Sequence, residues 1–433
     1  MGQPPFNNAE DGPAAVRSPG HRIHTMPELI GEAHALAAAN KKRALSLLIA
    51  LVRQPTYEPA QCADIFPLVR STMADLGFDI EEHGPKNSSG NTLPVIIGWL
   101  GPRSLQPDVL LCAHADTSPA GEGWTRQAFD AERDGGMVFG RGAACSKSDV
   151  SVFIHAALSA FVPLSHRHQP SIAVAITCDE GSGGDLGAAF ILNGLGIRPA
   201  LAVFPGVTDV VTVAHSGCVQ LKVRITGAAC HQSLLPMQED AMRRVAAICS
   251  AIYAHANALS EHGSASAGVG NPTLSITRIV GGDEFGMAPR EVEIWIDRRT
   301  TPDENLIEAR DEIISIVGAA SDALETDLDY EVVRMAEPMR PSPKQRRFTA
   351  LLCEEARAAV GTSLTTGCSS LYTDARWFSN AGIPTLMYGA GESDIRVSGA
   401  NGADERVPEQ CLDVATILIA RAIVRFIAGE REP

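Results

Sequence analysis

Residues 109–116 read Val-Leu-Leu-Cys-Ala-His-Ala-Asp, a short apolar run that ends in two polar side chains, His114 and Asp116. The run has the length and composition of a strand buried on both faces, which is typical of a parallel sheet. A second apolar run, residues 172–178, is followed at once by an acidic pair that includes Glu180. Because reactive groups in an open parallel sheet gather where strands end, we expect these two strand ends to contribute to a functional site.

Helical stretches alternate with these runs along the chain. The spacing of apolar residues predicts helices at 26–53, 149–161 and 183–192. The same alternation returns after about residue 340, with a predicted helix at 348–360, a buried strand at 384–388 and a long helix at 408–427. This pattern predicts an α/β fold with a mostly parallel sheet flanked by helices.

The middle of the chain has a different pattern. Residues 219–225 alternate apolar and polar side chains, which is typical of a strand with one face in water. Two further strands and two helices follow, the combination expected of a small α+β domain. We therefore predict an α/β domain at residues 26–213 and 326–433, interrupted by an inserted domain at 214–325. Residues 1–25 are rich in Pro, Gly and polar types and are predicted to be a disordered tail.

Composition narrows the possible partners and location. The chain has 433 residues, 45% apolar content and a formal charge of -15, so nucleic acid and an anionic membrane would repel it. Its apolar runs are too short to cross a bilayer, and no signal-peptide run is found near the start. The 10 cysteines form no C-x-x-C pair, which favours reduced thiols and a cytoplasmic location.

The strand ends and the loops around them resemble the zinc aminoacylases, glutamate carboxypeptidases and succinyl-diaminopimelate desuccinylases. Eight motifs occur in the family's order: His114-Ala115-Asp116, Trp124 with Gly140 to Lys147, Asp179-Glu180, Gly227 to Pro236, Gly281 to Pro289, Asp297-Arg298-Arg299, Thr373 to Arg376, and Asn401 to Glu405. The resemblance implies a zinc-exopeptidase-like fold. It also implies that the inserted domain is a ferredoxin-like lid through which two chains form a homodimer.

The metal positions of that family are altered here. The first ligand, His114, is kept, but the bridging aspartate position is Cys145 and the next carboxylate position is Gly181. Residues 203–206 hold no ligand where another acid is expected, and the last histidine position is Asn401. Zinc needs about three or four N, S or O ligands, so we expect no two-zinc centre and no cofactor. A single zinc ion on His114 and Cys145 with a third group is the alternative.

The remaining machinery matches the family better. The resemblance implies that Glu180 is the general base, that Asp116 orients His114, and that His231 crosses the dimer to polarise the substrate carbonyl. It implies that Arg299 binds a substrate carboxylate, and Asn401 is taken as a second substrate-binding residue. Each residue also has a simpler interpretation: Glu180 could cap a helix, His231 could be an ordinary loop residue, and Arg299 could pair with Asp297 or Glu304.

Cys145 adds a further hypothesis. Beside His114, with Asp116 behind the ring, it would complete a Cys-His-Asp arrangement for nucleophilic catalysis. The alternative is that its side chain fills space left by a lost metal ion.

We therefore predict an enzyme that acts without a two-zinc centre on a small amide- or carboxylate-bearing substrate, such as an N-acyl amino acid or dipeptide. The chemistry would be cyclisation, acyl transfer or isomerisation, by acid/base or Cys-assisted steps. A non-catalytic binding protein and an amide hydrolase with a relocated metal site are the alternatives.

Overall fold

The computed structural model describes residues 24–261, 269–321 and 329–429. All but the last two residues of the predicted disordered tail lie outside the described residues. The helices are α1 (Met26–Val52), α2 (Pro59–Asp75), α3 (Lys147–Ser165), α4 (Ala241–Glu261), α5 (Leu306–Ser321), α6 (Arg346–Ala359), α7 (Ala375–Asn380), α8 (Ile395–Ser398) and α9 (Glu409–Gly429). The strands are β1 (Asp79–His83), β2 (Val95–Leu100), β3 (Val109–His114), β4 (Glu132–Asp134), β5 (Met137–Phe139), β6 (Ile172–Thr177), β7 (Ala202–Phe204), β8 (Val210–His215), β9 (Gly217–Thr226), β10 (Thr273–Val280), β11 (Glu291–Thr300), β12 (Asp329–Ala336), β13 (Thr365–Ser369), β14 (Thr385–Met387) and β15 (Arg406–Pro408).

The main sheet is mixed, and its centre is parallel. Within the described ranges its strand order is β1-β2-β6-β3-β7-β14-β8-β13. Strand β3 pairs in parallel with β6 and β7, whereas β1 and β2 form an antiparallel edge. Every residue of β3 and β6 is buried, because helices cover both faces of the sheet. The predicted α/β architecture is confirmed.

Helices α1, α3 and α9 pack against one another on one face of the main sheet. A second apolar cluster, which includes Trp99, Ile191 and Phe378, covers the other face. On length and composition alone α3 could span a bilayer, contrary to the expectation from the apolar runs. However, 78% of its most apolar window is buried inside the protein, which is the burial of a core helix. None of the ten cysteines, all of which lie in the described ranges, forms a disulfide.

A second sheet, of order β10-β11-β9-β12, is antiparallel throughout. Strands β9 and β11 alternate buried and partly exposed residues, as the sequence predicts. The buried side chains form one cluster with α4 and α5. This is an α+β unit with one covered face, and the exact domain boundaries stay a prediction.

One predicted helix differs in the structure. The sequence predicts a helix from Gly183 to Leu192, but the structure has a 3-10 turn at Glu180–Ser182 and a π-helical turn at Phe190–Gly194. Gly183 and Gly184 have φ values of 117° and 74°. These left-handed conformations cannot start an α-helix, which explains why the helical spacing was misleading here.

Candidate active site

The ends of β3 and β6 place two predicted residues side by side. The strands pair in parallel with His114 opposite Thr177, so the chain beyond β6 turns at the same sheet edge. That chain continues directly into the 3-10 turn that begins with Glu180. The loop before α3 is fixed to this edge because the Ser146 hydroxyl donates a 2.8 Å hydrogen bond to the His114 carbonyl.

His114, Asp116 and Cys145 form one contact group. The Nδ1 atom of His114 lies 3.1 Å from the backbone oxygen of Asp116 and 3.4 Å from its carboxylate. The Cys145 thiol hydrogen bonds with the same imidazole. The backbone N–H of Gly181 donates a 2.9 Å hydrogen bond to the other oxygen of Asp116. Asp116 is therefore held between the histidine ring and the turn that carries Glu180.

Charge in this group favours a protonated histidine. Burial by itself lowers the pKa of His114, but the Asp116 charge and the contacts with Asp116 and Cys145 raise that pKa well above its usual value. Burial raises the pKa of the Cys145 thiol, although its contact with His114 opposes this shift. The two shifts favour the protonated form of both groups, and the contacts of the His114 ring are with Asp116 and Cys145.

Glu180 has both acidic and basic side chains as neighbours. Burial raises its pKa, the charge of His114 lowers it, and the charge of Asp116 raises it again. Asp374, at the start of α7, is 4% exposed, and burial together with the Glu180 charge raises its pKa to about 8. A carboxyl group whose pKa moves toward neutrality can both accept and return a proton, so Glu180 has the electrostatic properties of a general acid/base.

A buried ion pair fixes the loop that carries Cys145. Arg141 and Glu405 have side chains only 2% and 0% exposed, and their charged atoms lie 2.7 Å apart. The other carboxylate oxygen of Glu405 accepts hydrogen bonds of 3.0 Å from the N–H of Ala144 and 3.1 Å from that of Cys145. Glu405 therefore determines where the thiol lies relative to His114.

The residues at the family's metal positions do not fit a two-zinc centre. In the described part of the chain, no group of three or more His, Cys, Asp or Glu side chains could hold a metal ion. Gly181 has no side chain to bind a metal ion, and its backbone N–H is directed at Asp116. Asn401 has a left-handed backbone, with φ of 61°, and its side-chain oxygen accepts a 3.0 Å hydrogen bond from Ser118. Since zinc needs about three or four N, S or O ligands, these residues do not fit a two-zinc centre, and the absence of a cofactor stays a prediction.

The structure does not bring the other predicted residues into this group. The Nδ1 atom of His231 lies 2.8 Å from the Ser233 hydroxyl. The backbone of His231 pairs with that of Met287 in an isolated antiparallel bridge. Among the described residues, no contact joins His231 to His114, Cys145 or Glu180. Arg299 donates hydrogen bonds of 2.7 and 3.1 Å to both oxygens of Asp297, so its guanidinium already has a carboxylate partner.

Four residues near Glu180 received no individual role from the sequence: Arg334, Tyr372, Asp374 and Arg376. The charges of both arginines lower the pKa of Glu180. Asp374 and Arg376 lie inside the quoted Thr373 to Arg376 motif, so the motif was the available signal for them. Arg334 lies on β12, far from any motif, and only the folded chain brings it to the site.

Comparisons with known proteins support this architecture. A succinyl-diaminopimelate desuccinylase of Psychrobacter arcticus is 25% identical over 396 residues, which cover 86% of this chain and 91% of the relative. An acetylornithine deacetylase of Proteus mirabilis is 24% identical over 379 residues, covering 84% and 90%. The fold is similar to that of human carnosine dipeptidase 1, with a TM-score of 0.73 and 16% identity over 92% of this chain and 99% of that one.

These relatives are named as hydrolytic enzymes, and on that ground this chain is assigned as an enzyme. Residues 110–425 match the sequence pattern of peptidase family M20/M25/M40, which is most of the chain. The chain is a member of peptidase family M20/M25/M40.

Proposed function

We propose that this chain is an enzyme that acts, without a two-zinc centre, on a small amide- or carboxylate-bearing molecule such as an N-acyl amino acid or a dipeptide. The observation that carries the proposal is that the family's acid/base residues are kept while most of its metal-ligand positions are replaced. His114, Asp116 and Glu180 are kept and lie close together, whereas four of the family's ligand positions are replaced, by Cys145, Gly181, Asn401 and the residues 203–206.

Acid/base chemistry is the mechanism that the geometry supports best. Glu180 would take a proton from the attacking group of the substrate and return it to the leaving group. The imidazolium of His114 would donate a hydrogen bond to the substrate carbonyl as negative charge develops there. Asp116 would hold the imidazole in that orientation. Each of these steps uses groups that the chain itself provides.

The reaction class follows from the nucleophile. In zinc hydrolases the metal lowers the pKa of bound water from about 15.7 to about 7, and Glu180 alone cannot replace that activation. A substrate that carries its own nucleophile does not need it. We therefore favour cyclisation, acyl transfer or isomerisation over general peptide hydrolysis.

The first test combines metal analysis with a substrate screen. Purified protein is assayed against N-acyl amino acids and dipeptides before and after dialysis with a chelator, and its zinc content is measured. We expect far fewer than two zinc ions per chain and turnover that the chelator does not change. Two tightly held zinc ions with chelator-sensitive turnover would instead support a hydrolase with a relocated metal site.

Glu180→Gln is the central variant, and Glu122→Gln, which changes an exposed glutamate, is its control. General acid/base catalysis contributes about 10²- to 10⁴-fold, so we expect Glu180→Gln to lower kcat by at least about 100-fold. Glu122→Gln should leave kcat unchanged. Binding of screened compounds without turnover in either protein would favour the non-catalytic binding protein.

Cys145→Ala tests the nucleophile hypothesis separately. In the acid/base mechanism this variant keeps most of its turnover, and the intact mass of the wild type does not increase during turnover. Loss of turnover in Cys145→Ala, together with an acyl adduct on the wild-type protein, would assign the reaction to the thiol instead.

The homodimer and the cytoplasmic location are also proposals. The two segments that pair at His231 and Met287 carry four exposed apolar side chains, Leu234, Met237, Phe285 and Met287. A partner chain that covered them would bring His231 toward a second site, as the family resemblance implies. Sedimentation showing only monomers would remove that role from His231. The lack of a disulfide among the ten cysteines, all of them in the described ranges, supports a reducing compartment.

A further inference from the structure

A cleft of about 230 Å³ opens beside the turn that carries Glu180. It lies where β12 of the second sheet faces α7 and the glycine-rich turn after β6. Its lining consists of Ser182, Gly183, Asp185, residues 332–335, Arg376 and Trp377. Pockets for whole small molecules measure roughly 300–1,000 Å³, so this cleft has the size for one substituent of a larger substrate.

Arg334 is a cation of this cleft that forms no ion pair among the described residues. Its guanidinium donates a hydrogen bond to the hydroxyl of Tyr372. Within the described ranges no ion pair involves Arg334, whereas Arg299 is bound by both oxygens of Asp297. Arg334 therefore has donors available for an anion, whereas Arg299 already has a carboxylate partner in Asp297.

Neighbouring cations add to the positive charge on this side of the cleft. The guanidinium carbons of Arg299, Arg334 and Arg376 lie 5.7, 5.6 and 5.5 Å from the centre of the Tyr372 ring. Arg376 is only 4% exposed, donates to the Gly183 carbonyl, and lies 3.8 Å from Asp374. Asp297 and Asp374 lie within ion-pair distance of Arg299 and Arg376. The charge of Arg334 lowers the pKa of Asp179 and Glu180, but among the described residues no carboxylate lies within ion-pair distance of it.

We infer that this cleft binds a carboxylate of the substrate and that Arg334 is the residue that recognises it. The inference rests on the proposed function, since it assigns the part of the substrate that lies beyond the reacting bond. A singly charged carboxylate fits better than a phosphate, because one cation is free and the acids Asp185 and Glu180 lie nearby. The exposed side chains of Val332 and Val333 favour a short aliphatic chain between the two groups.

Ligand binding tests the inference without any turnover. Butanoate and butanamide have nearly the same shape, and only the first is charged. Binding of each to the purified protein is measured by NMR titration. Because a hydrogen bond to a charged group is about twice as strong as a neutral one, we expect the wild type to bind butanoate at least about tenfold more tightly than butanamide.

Variants identify the residue responsible. Arg334→Gln should abolish the preference for butanoate, and Arg334→Lys should keep part of it because the charge remains. Arg299→Gln should keep the full preference, as should the control Arg396→Gln, which alters an arginine that is 87% exposed. A circular dichroism spectrum equal to that of the wild type shows that each variant is folded.

The inference is overturned if the wild type shows no preference, if Arg334→Gln keeps it, or if Arg299→Gln alone removes it. Glu180→Gln separates this result from the proposed function. That variant should lose turnover yet retain the preference for butanoate. If the wild type prefers butanoate through Arg334 but turns over no compound tested, carboxylate binding in the cleft is supported and the proposed enzymatic function is refuted.

Discussion

Glu405→Gln is a small chemical change, but it should destabilise the protein strongly. The variant keeps the shape of the side chain and removes its charge. In the wild type one oxygen of Glu405 binds Arg141 at 2.7 Å, and the other accepts from the N–H groups of Ala144 and Cys145. A glutamine has one accepting oxygen, so it cannot serve both sides, and its NH₂ group would face the guanidinium.

The expected cost follows from burial. Arg141 is 2% exposed, so the variant leaves a cation in the interior without an anionic partner. Removing one partner of a buried ion pair typically costs about 3–5 kcal/mol. The amide can still accept from the two backbone N–H groups, which places our expectation near the lower end, at about 3 kcal/mol.

Urea unfolding followed by tryptophan fluorescence measures this change. Trp124 is a suitable local probe because the Arg141 guanidinium lies 5.3 Å from its ring centre. The matched control is Glu409→Gln. Glu409 also binds an arginine through two hydrogen bonds, of 2.8 and 2.9 Å, but its partner Arg133 is 53% exposed. An exposed pair contributes about 1 kcal/mol or less.

A double-mutant cycle with Arg141→Met completes the test. The single variants Arg141→Met and Glu405→Leu each leave one buried charge without its partner. The double variant leaves none, so its loss of unfolding free energy should be smaller than the sum of the losses in the two single variants. Equal costs for Glu405→Gln and Glu409→Gln would refute the reasoning, because burial would then have no influence on the strength of the pair.

Two further predictions concern the residues around the site. A Cβ at Gly184 would lie 1.9 Å from a carboxylate oxygen of Asp374, whereas Gly196 has a nearly equal φ, 75° against 74°, and nothing within 4 Å. Gly184→Ala should therefore lower the free energy of unfolding in urea by at least about 1 kcal/mol more than Gly196→Ala, and equal losses would show that Asp374 can move aside. Burial raises the pKa of Asp149 from 3.8 to about 8, so its contribution to stability is lost as pH rises from about 4 to about 8. Relative to wild type, the unfolding free energy of Asp149→Asn should increase by about 2 kcal/mol or more from pH 5 to pH 8, and a constant difference would contradict the shift.

The sequence predicted the elements whose burial follows a simple rule. Strand β3 is buried on both faces and therefore reads as a continuous apolar run, and the strand predicted within residues 109–116 is observed at Val109–His114. The helix predicted at 26–53 is observed at Met26–Val52, because one stripe of its side chains faces the core. In both cases a local pattern determines the structure.

Tertiary contacts explain the parts that the sequence did not predict. Strand β12 has mostly exposed residues, so its pattern carries no strand signal, and the role of Arg334 could not be anticipated. The helix predicted from Gly183 to Leu192 was wrong at its start, where Gly183 and Gly184 have left-handed backbones. Asp374, 190 residues further along the chain, lies against Gly184 there, and the local sequence gives no sign of that contact. The pairing of Arg299 with Asp297 was one of two alternatives, and only the folded side chains decide between them.

The chain leaves the main sheet after β8 and returns beside the same strand. The backbones of His215 and Met339 exchange two hydrogen bonds, each of 3.2 Å, so the entry and the exit of the long excursion are neighbours in space. A two-residue turn between them could replace everything in between without stretching the backbone. The segment between His215 and Met339 could therefore be exchanged for that of another protein, in evolution or by engineering. Arg299 and Arg334 would be exchanged with it, and the strand order of the main sheet would stay the same.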